Sequence, residues 1–242
     1  MRFRVRVAAG PSFKENDLSS HILFLIMNRK EKAIIVCKFL KEKYKEHIAK
    51  IEGWHDTKFK LLIATILSQR TRDENTEKAA RRLFDIADTP EKILKLSLKK
   101  LETLVRDVGF YRQKACKIKK ICKVLLTKYK GNVPDKREML LELPGVGYKT
   151  ADVVLCYGFS VPVIPVDIHV AVCSKRIGLT NNSDPEKIKK DLEVIVPRKY
   201  RRIVNIGLIN FGKEICMTRK PRCKTCQLSY VCNYYIKKIK NS

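Results

Sequence analysis

The chain has 242 residues, 45% of them hydrophobic, which suffices for one large domain or two modest ones and argues against disorder of the whole chain. Its 52 Lys and Arg outnumber 25 Asp and Glu, giving a formal net charge of +27, an excess that repels itself unless a polyanion relieves it. The basic residues are spread along most of the chain instead of clustering beside an apolar span, which favours nucleic acid over a membrane surface as that partner.

Residues 1–26 read unlike the rest. Arg2–Val7 alternates like a strand, Gly10-Pro11 breaks it, and a polar stretch precedes the short apolar run Ile22–Met27. That run is far too brief for a bilayer and lacks a small-residue cleavage site after it, so an intracellular, unsecreted protein is expected, cytoplasmic or nucleoid-associated in a prokaryote. Met27 is an alternative start, which would make 1–26 a non-native extension. From there Ala33, Val36, Cys37, Leu40, Tyr44 and Ile48 recur at helical spacing with lysines opposite, an amphipathic surface helix. Phe59–Leu67 is apolar nearly all round and predicts a helix buried among others.

Helices are then expected at about 73–86, 90–106, 111–129, 135–142, 147–157, 167–176, 184–195 and 200–212. After Met27 neither paired strands nor Asn-Gly hairpin turns are evident, and no repeat of fixed period appears. The fold class is therefore all-α.

Leu143–Asp152 reads Leu-Pro-Gly-Val-Gly-Tyr-Lys-Thr-Ala-Asp between two helical stretches. Gly145 and Gly147 let backbone N–H groups approach a phosphate, and the following helix points its positive N-terminal end the same way. A bare Gly-x-Gly is more often just a tight interhelical turn, so the rest of the motif has to carry the inference.

Nine cysteines in a large chain do not suggest a disulfide framework. Cys37, Cys116, Cys122, Cys156 and Cys173 stand singly in apolar helical contexts and fit small core side chains. Cys216, Cys223, Cys226 and Cys232 crowd together, separated by six, two and five residues. Such spacing can gather four thiolates around one metal centre, and both zinc and a four-iron cluster accept that ligand set.

The hairpin segment followed by Pro165-Val-Asp-Ile-His169 resembles the helix-hairpin-helix DNA glycosylases of the endonuclease III family. The likeness extends over roughly 30–235, including Leu61–Gln69, Val108–Tyr111 and the terminal cysteines. It implies a continuous helical domain at 51–160 and a second domain made of 27–50 with 161–235, DNA entering between them; beyond its reach, 236–242 read as a basic tail. It implies Lys149 as nucleophile and Asp167 as its partner, and it turns the cysteine set towards a [4Fe-4S] cluster. Phe110 matches the family's wedge position, and Gln69 and Arg70 stand near its orphan-base contact, where relatives often carry glutamine at the place of Arg70. Arg219, Lys220, Arg222 and Lys224 lie inside the cysteine segment as candidate phosphate contacts.

His169 reads as a packed helical histidine and stays outside the catalytic set. Where the family commonly has arginine three residues further on, this chain has Val172. The implied activity is removal of oxidised pyrimidines such as thymine glycol from double-stranded DNA, with lyase action at abasic sites, by a monomer with no membrane partner. Two other readings stay open: a monofunctional mismatch or alkylated-base glycosylase that activates water, which Lys149 speaks against, and a non-enzymatic DNA-binding protein, which the charge and hairpin would also fit.

Overall fold

The computed structural model describes residues 27–47 and 57–240. The strand-like alternation at 2–7 and the helical position of Ile48 lie outside these. Every regular element among the described residues is helical.

Helix α1 (Arg29–Lys43) starts on a reciprocal cap: Asn28 Oδ1 accepts from the N–H of Lys30 and Glu31, and Glu31 returns a carboxylate oxygen to the Asn28 N–H at 2.9 Å. Such a cap stabilises a helix start by about 1 kcal/mol. Helix α2 (Lys58–Ser68) is capped by Thr57 and buried at Phe59 and from Leu61 to Leu67, as its all-round apolarity requires. Removing Leu62, Ile63, Ile66 and Leu67 from water contributes about 1.5–3 kcal/mol each. Around α2 pack α3 (Asp73–Phe84), α4 (Pro90–Lys95), α5 (Leu98–Leu104), α6 (Tyr111–Tyr129), α7 (Arg137–Leu141) and α8 (Tyr148–Val153), the last continuing as a π turn over Val154–Gly158.

The helix expected at 90–106 is broken in two. Leu96 turns to extended backbone and Ser97 begins again by accepting from the Lys100 N–H at 3.2 Å. Lys119 closes the break from α6, donating to the carbonyls of Leu94 and Leu96, an exit for orphan carbonyls that the apolar periodicity does not record.

A second core gathers α1 with α9 (Ile168–Ile177), α10 (Pro185–Ile195), α11 (Arg201–Glu214) and the cysteine segment. A side chain at Gly207 would meet Leu40 at 2.7 Å, so that glycine sets the approach of α11 to α1. Of the stretch expected as a basic tail, residues 236–240 lie within a further helix, α12 (Asn233–Lys240), anchored by buried Ile236. Between the cores, Tyr157 donates to Asn205, which donates to the Pro165 carbonyl at 2.6 Å.

Candidate active site

The hairpin turn and the start of α9 meet where the two cores adjoin. Gly145 has φ +81, a conformation that disfavours side chains, whereas Gly147 caps α8 in extended backbone and a Cβ there would meet nothing within 4 Å. The protein itself thus needs glycine at 145. At 147 it leaves the helix N-terminus open to an incoming group.

Lys149 is the second residue of α8 and lines a recess with Tyr148, Asp152, Val166, Asp184, Pro185 and Glu186. The side chain is exposed, yet the recess walls around it displace part of the water that would hydrate an ammonium. That desolvation lowers its pKa from the usual lysine value, opposed by Asp167 and then Asp73 and reinforced by Lys213. Asp167 caps α9, accepting from the Val170 N–H at 2.8 Å, as its position before Ile168 suggests. The cap occupies Oδ1 and leaves Oδ2 for other use.

Asp73 and Lys213 escaped the sequence reading. They form an ion pair joining the start of α3 in one core to α11 in the other, and 140 residues of separation leave no local pattern that could pair them. The same holds for Asp152, one turn after Lys149 and 1% exposed. Its carboxylate takes Arg137 Nε at 2.9 Å and Nη2 at 3.2 Å together with Lys189 Nζ at 2.9 Å, while Arg137 also reaches Glu186 at 2.7 Å. This network ties the hairpin helix to α10.

Phe110 is 57% exposed and so is not a core aromatic. It stands at φ 57 directly before α6, and the Arg70 guanidinium lies 6.0 Å from its ring centroid. Gln69 turns inward, its amide donating to the Gly145 carbonyl at 3.1 Å and to Thr150 Oγ1 at 3.3 Å. The two neighbours considered together in the sequence are therefore separated: Gln69 braces the hairpin and Arg70 faces out. His169 packs on Gly212, its Nδ1 2.7 Å from where a Cβ would sit.

Cys216, Cys223, Cys226 and Cys232 line one recess together with Arg176, Phe211, Leu228 and Tyr234. Arg176 fixes its mouth, donating to the carbonyls of Cys216, Met217 and Thr218 and lying 3.6 Å from Cys216 Sγ. The Cys216 thiol is pulled down to about 6, first by hydrogen bonding with Cys173 and then by Arg176, against burial. No three His, Cys, Asp or Glu side chains among the described residues are grouped closely enough to hold a single metal ion. Arg219, Lys220, Arg222 and Lys224 are exposed around the recess. No helix of the described residues is long and apolar enough to cross a membrane.

Comparison with known proteins decides the family. Residues 63–198 match the HhH-GPD superfamily of base excision DNA repair proteins. Endonuclease III of Thermotoga maritima is 44% identical over 73% of this chain and 83% of its own. This chain belongs to the endonuclease III family. A trapped endonuclease III–DNA covalent intermediate superposes with a TM-score of 0.80 at 36% identity, covering 88% of this chain and all of the other. A thermostable thymine-DNA glycosylase follows at 0.71 and 28% identity, covering 81% and 98%.

Proposed function

We propose that the protein is a bifunctional DNA glycosylase and abasic-site lyase that removes oxidised pyrimidines, thymine glycol among them, from double-stranded DNA. The observation that carries this reading is placement: Lys149 stands in the first turn of the hairpin helix, within electrostatic reach of Asp167 at the start of α9 in the opposite core. A neutral Lys149 attacks the sugar C1′: the C1′–N bond to the enzyme forms, the bond to the base breaks with its electron pair going to the base, and the departing base takes a proton from water. Asp167 stabilises the positive charge that grows on the sugar and takes the proton shed by the amine. Opening of the sugar ring gives an imine, which acidifies the C2′ hydrogen; its loss expels the 3′ phosphate and cuts the strand.

The two cores supply the two domains, 51–160 and 27–50 with 161–235, and DNA lies across the cleft between them. Gly145 and Gly147 bring backbone N–H groups to a phosphate, and Arg219, Lys220, Arg222 and Lys224 extend the electrostatic contact. Phe110 fills the space vacated by the extruded nucleotide, with Arg70 beside it.

Cys216, Cys223, Cys226 and Cys232 hold a [4Fe-4S] cluster. The donor set fits: four thiols line one recess, and four cysteine thiolates are the ligand set that such a cluster takes. When bound, the cluster cross-links the loop and takes no part in base removal. Activity is expected inside the cell, where the DNA is, and as a monomer.

The test is incubation of the purified protein with duplexes carrying thymine glycol, uracil–guanine or thymine–guanine. Base release and strand cleavage from the thymine-glycol duplex are expected. Release without cleavage would point to the monofunctional reading, and binding with no release on any of the three to a non-enzymatic one.

A further inference from the structure

The last turn of a helix leaves carbonyls without intrahelical partners. At the end of α2 those carbonyls are met by a side chain from another element. Lys114, in the first turn of α6, is 3% exposed, and its Nζ donates to the carbonyl of Leu67 at 2.7 Å, to that of Gln69 at 2.5 Å and to Thr71 Oγ1 at 2.8 Å. Thr71 Oγ1 in turn accepts from the Gly109 N–H at 3.1 Å. Gly109 permits this approach, because a Cβ there would lie 2.8 Å from the Arg70 carbonyl oxygen.

One ammonium therefore grips the 67–71 turn from the helix whose first residue follows Phe110. Both outward residues are in the left-handed region, Arg70 at φ 51 and Phe110 at φ 57, which non-glycine residues hold only where the surroundings impose it. Three acceptors around one nitrogen match the three donors of a lysine ammonium and no other side chain of that length. Burial, with Lys117 adding, pushes Lys114 down to about 8, and its side chain is enclosed by the protein.

We infer that Lys114 is a positioning residue for duplex opening: it staples the 67–71 turn to the start of α6, so that Arg70 and Phe110 enter the helix as one rigid unit. The inference rests on the wedge role proposed for Phe110. A residue that merely stabilised the fold would affect all substrates alike.

The experiment uses the full chain with Lys114→Met and a thymine-glycol strand presented either paired with adenine or inside an unpaired bubble. Single-turnover excision is measured, along with the fluorescence of 2-aminopurine facing the lesion. Losing charge-assisted hydrogen bonds at a buried site should slow excision from the paired duplex by about tenfold or more, while the bubble substrate stays within about threefold. The fluorescence rise on the paired duplex should shrink in parallel. Equal losses on both substrates, or no loss on the paired one, would overturn the inference. If Lys114→Met does not fold, Thr71→Val, which removes the oxygen shared by Lys114 and Gly109, decides in the same way with a smaller effect. Absence of excision by the unaltered protein on both substrates would instead overturn the functional reading, a result distinct from a variant that matches the unaltered protein.

Discussion

Asp152→Asn probes the link between the hairpin helix and the second core. The carboxylate is 1% exposed and neutralises two cations, Arg137 through both of its oxygens and Lys189 through Oδ1. Breaking a buried ion pair by removing one partner costs about 3–5 kcal/mol, because the other charge is left desolvated. Here Arg137 keeps Glu186 at 2.7 Å, and asparagine retains one acceptor, so the loss should fall to about 2–3 kcal/mol. For a chain of this size that corresponds to a fall in Tm of roughly 4–12 °C. Thermal unfolding followed by circular dichroism reads it, and combining the change with Lys189→Met should give less than the sum of the single effects, since both remove one contact. A loss under about 0.5 kcal/mol, the range of ordinary surface substitutions, or strict additivity would refute the claim that the network clamps the two units.

Three further outcomes follow from the site. Phe110→Ala should slow excision from a fully paired duplex by roughly 5- to 100-fold, the scale of one lost base–aromatic contact, with a smaller loss on a mispaired lesion; equal activity on every duplex would remove the wedge role. Cys226→Ser should lower iron below the about four atoms per chain of a [4Fe-4S] centre and weaken DNA affinity, whereas stoichiometric zinc in the unaltered protein would reject the cluster. The rate of covalent trapping should rise with pH as Lys149 loses its proton and level off below the ordinary lysine value of about 10.4. Asp73 raises that pKa and Lys213 lowers it, so Asp73→Asn should move the rise to lower pH; an upward move would contradict the electrostatic account.

Local pattern revealed much of this molecule. The all-round apolar Phe59–Leu67 foretold the central helix. Position within motifs singled out Lys149 and the cysteines. Long-range pairing was illegible: nothing near Asp73 signals Lys213, nothing near Asp152 signals Lys189, and Lys114 looks like any other lysine on a basic helix until its three acceptors are seen. The break at Leu96–Ser97 was hidden because Leu94, Leu98 and Leu101 keep helical apolar spacing across it, although the restart needed only a serine cap. Gln69 and Arg70 are adjacent in sequence, yet the positive φ of Arg70 turns one inward and one outward.

The central claim is that Lys149 forms the covalent bond to DNA, and borohydride trapping on a thymine-glycol duplex tests it most directly. Reduction should convert the transient imine into a stable protein–DNA adduct with the unaltered chain, and the modified residue should map to Lys149 by peptide mass. Lys149→Gln should bind the duplex and form no adduct. Full trapping by Lys149→Gln would move the nucleophile to another lysine and contradict the account.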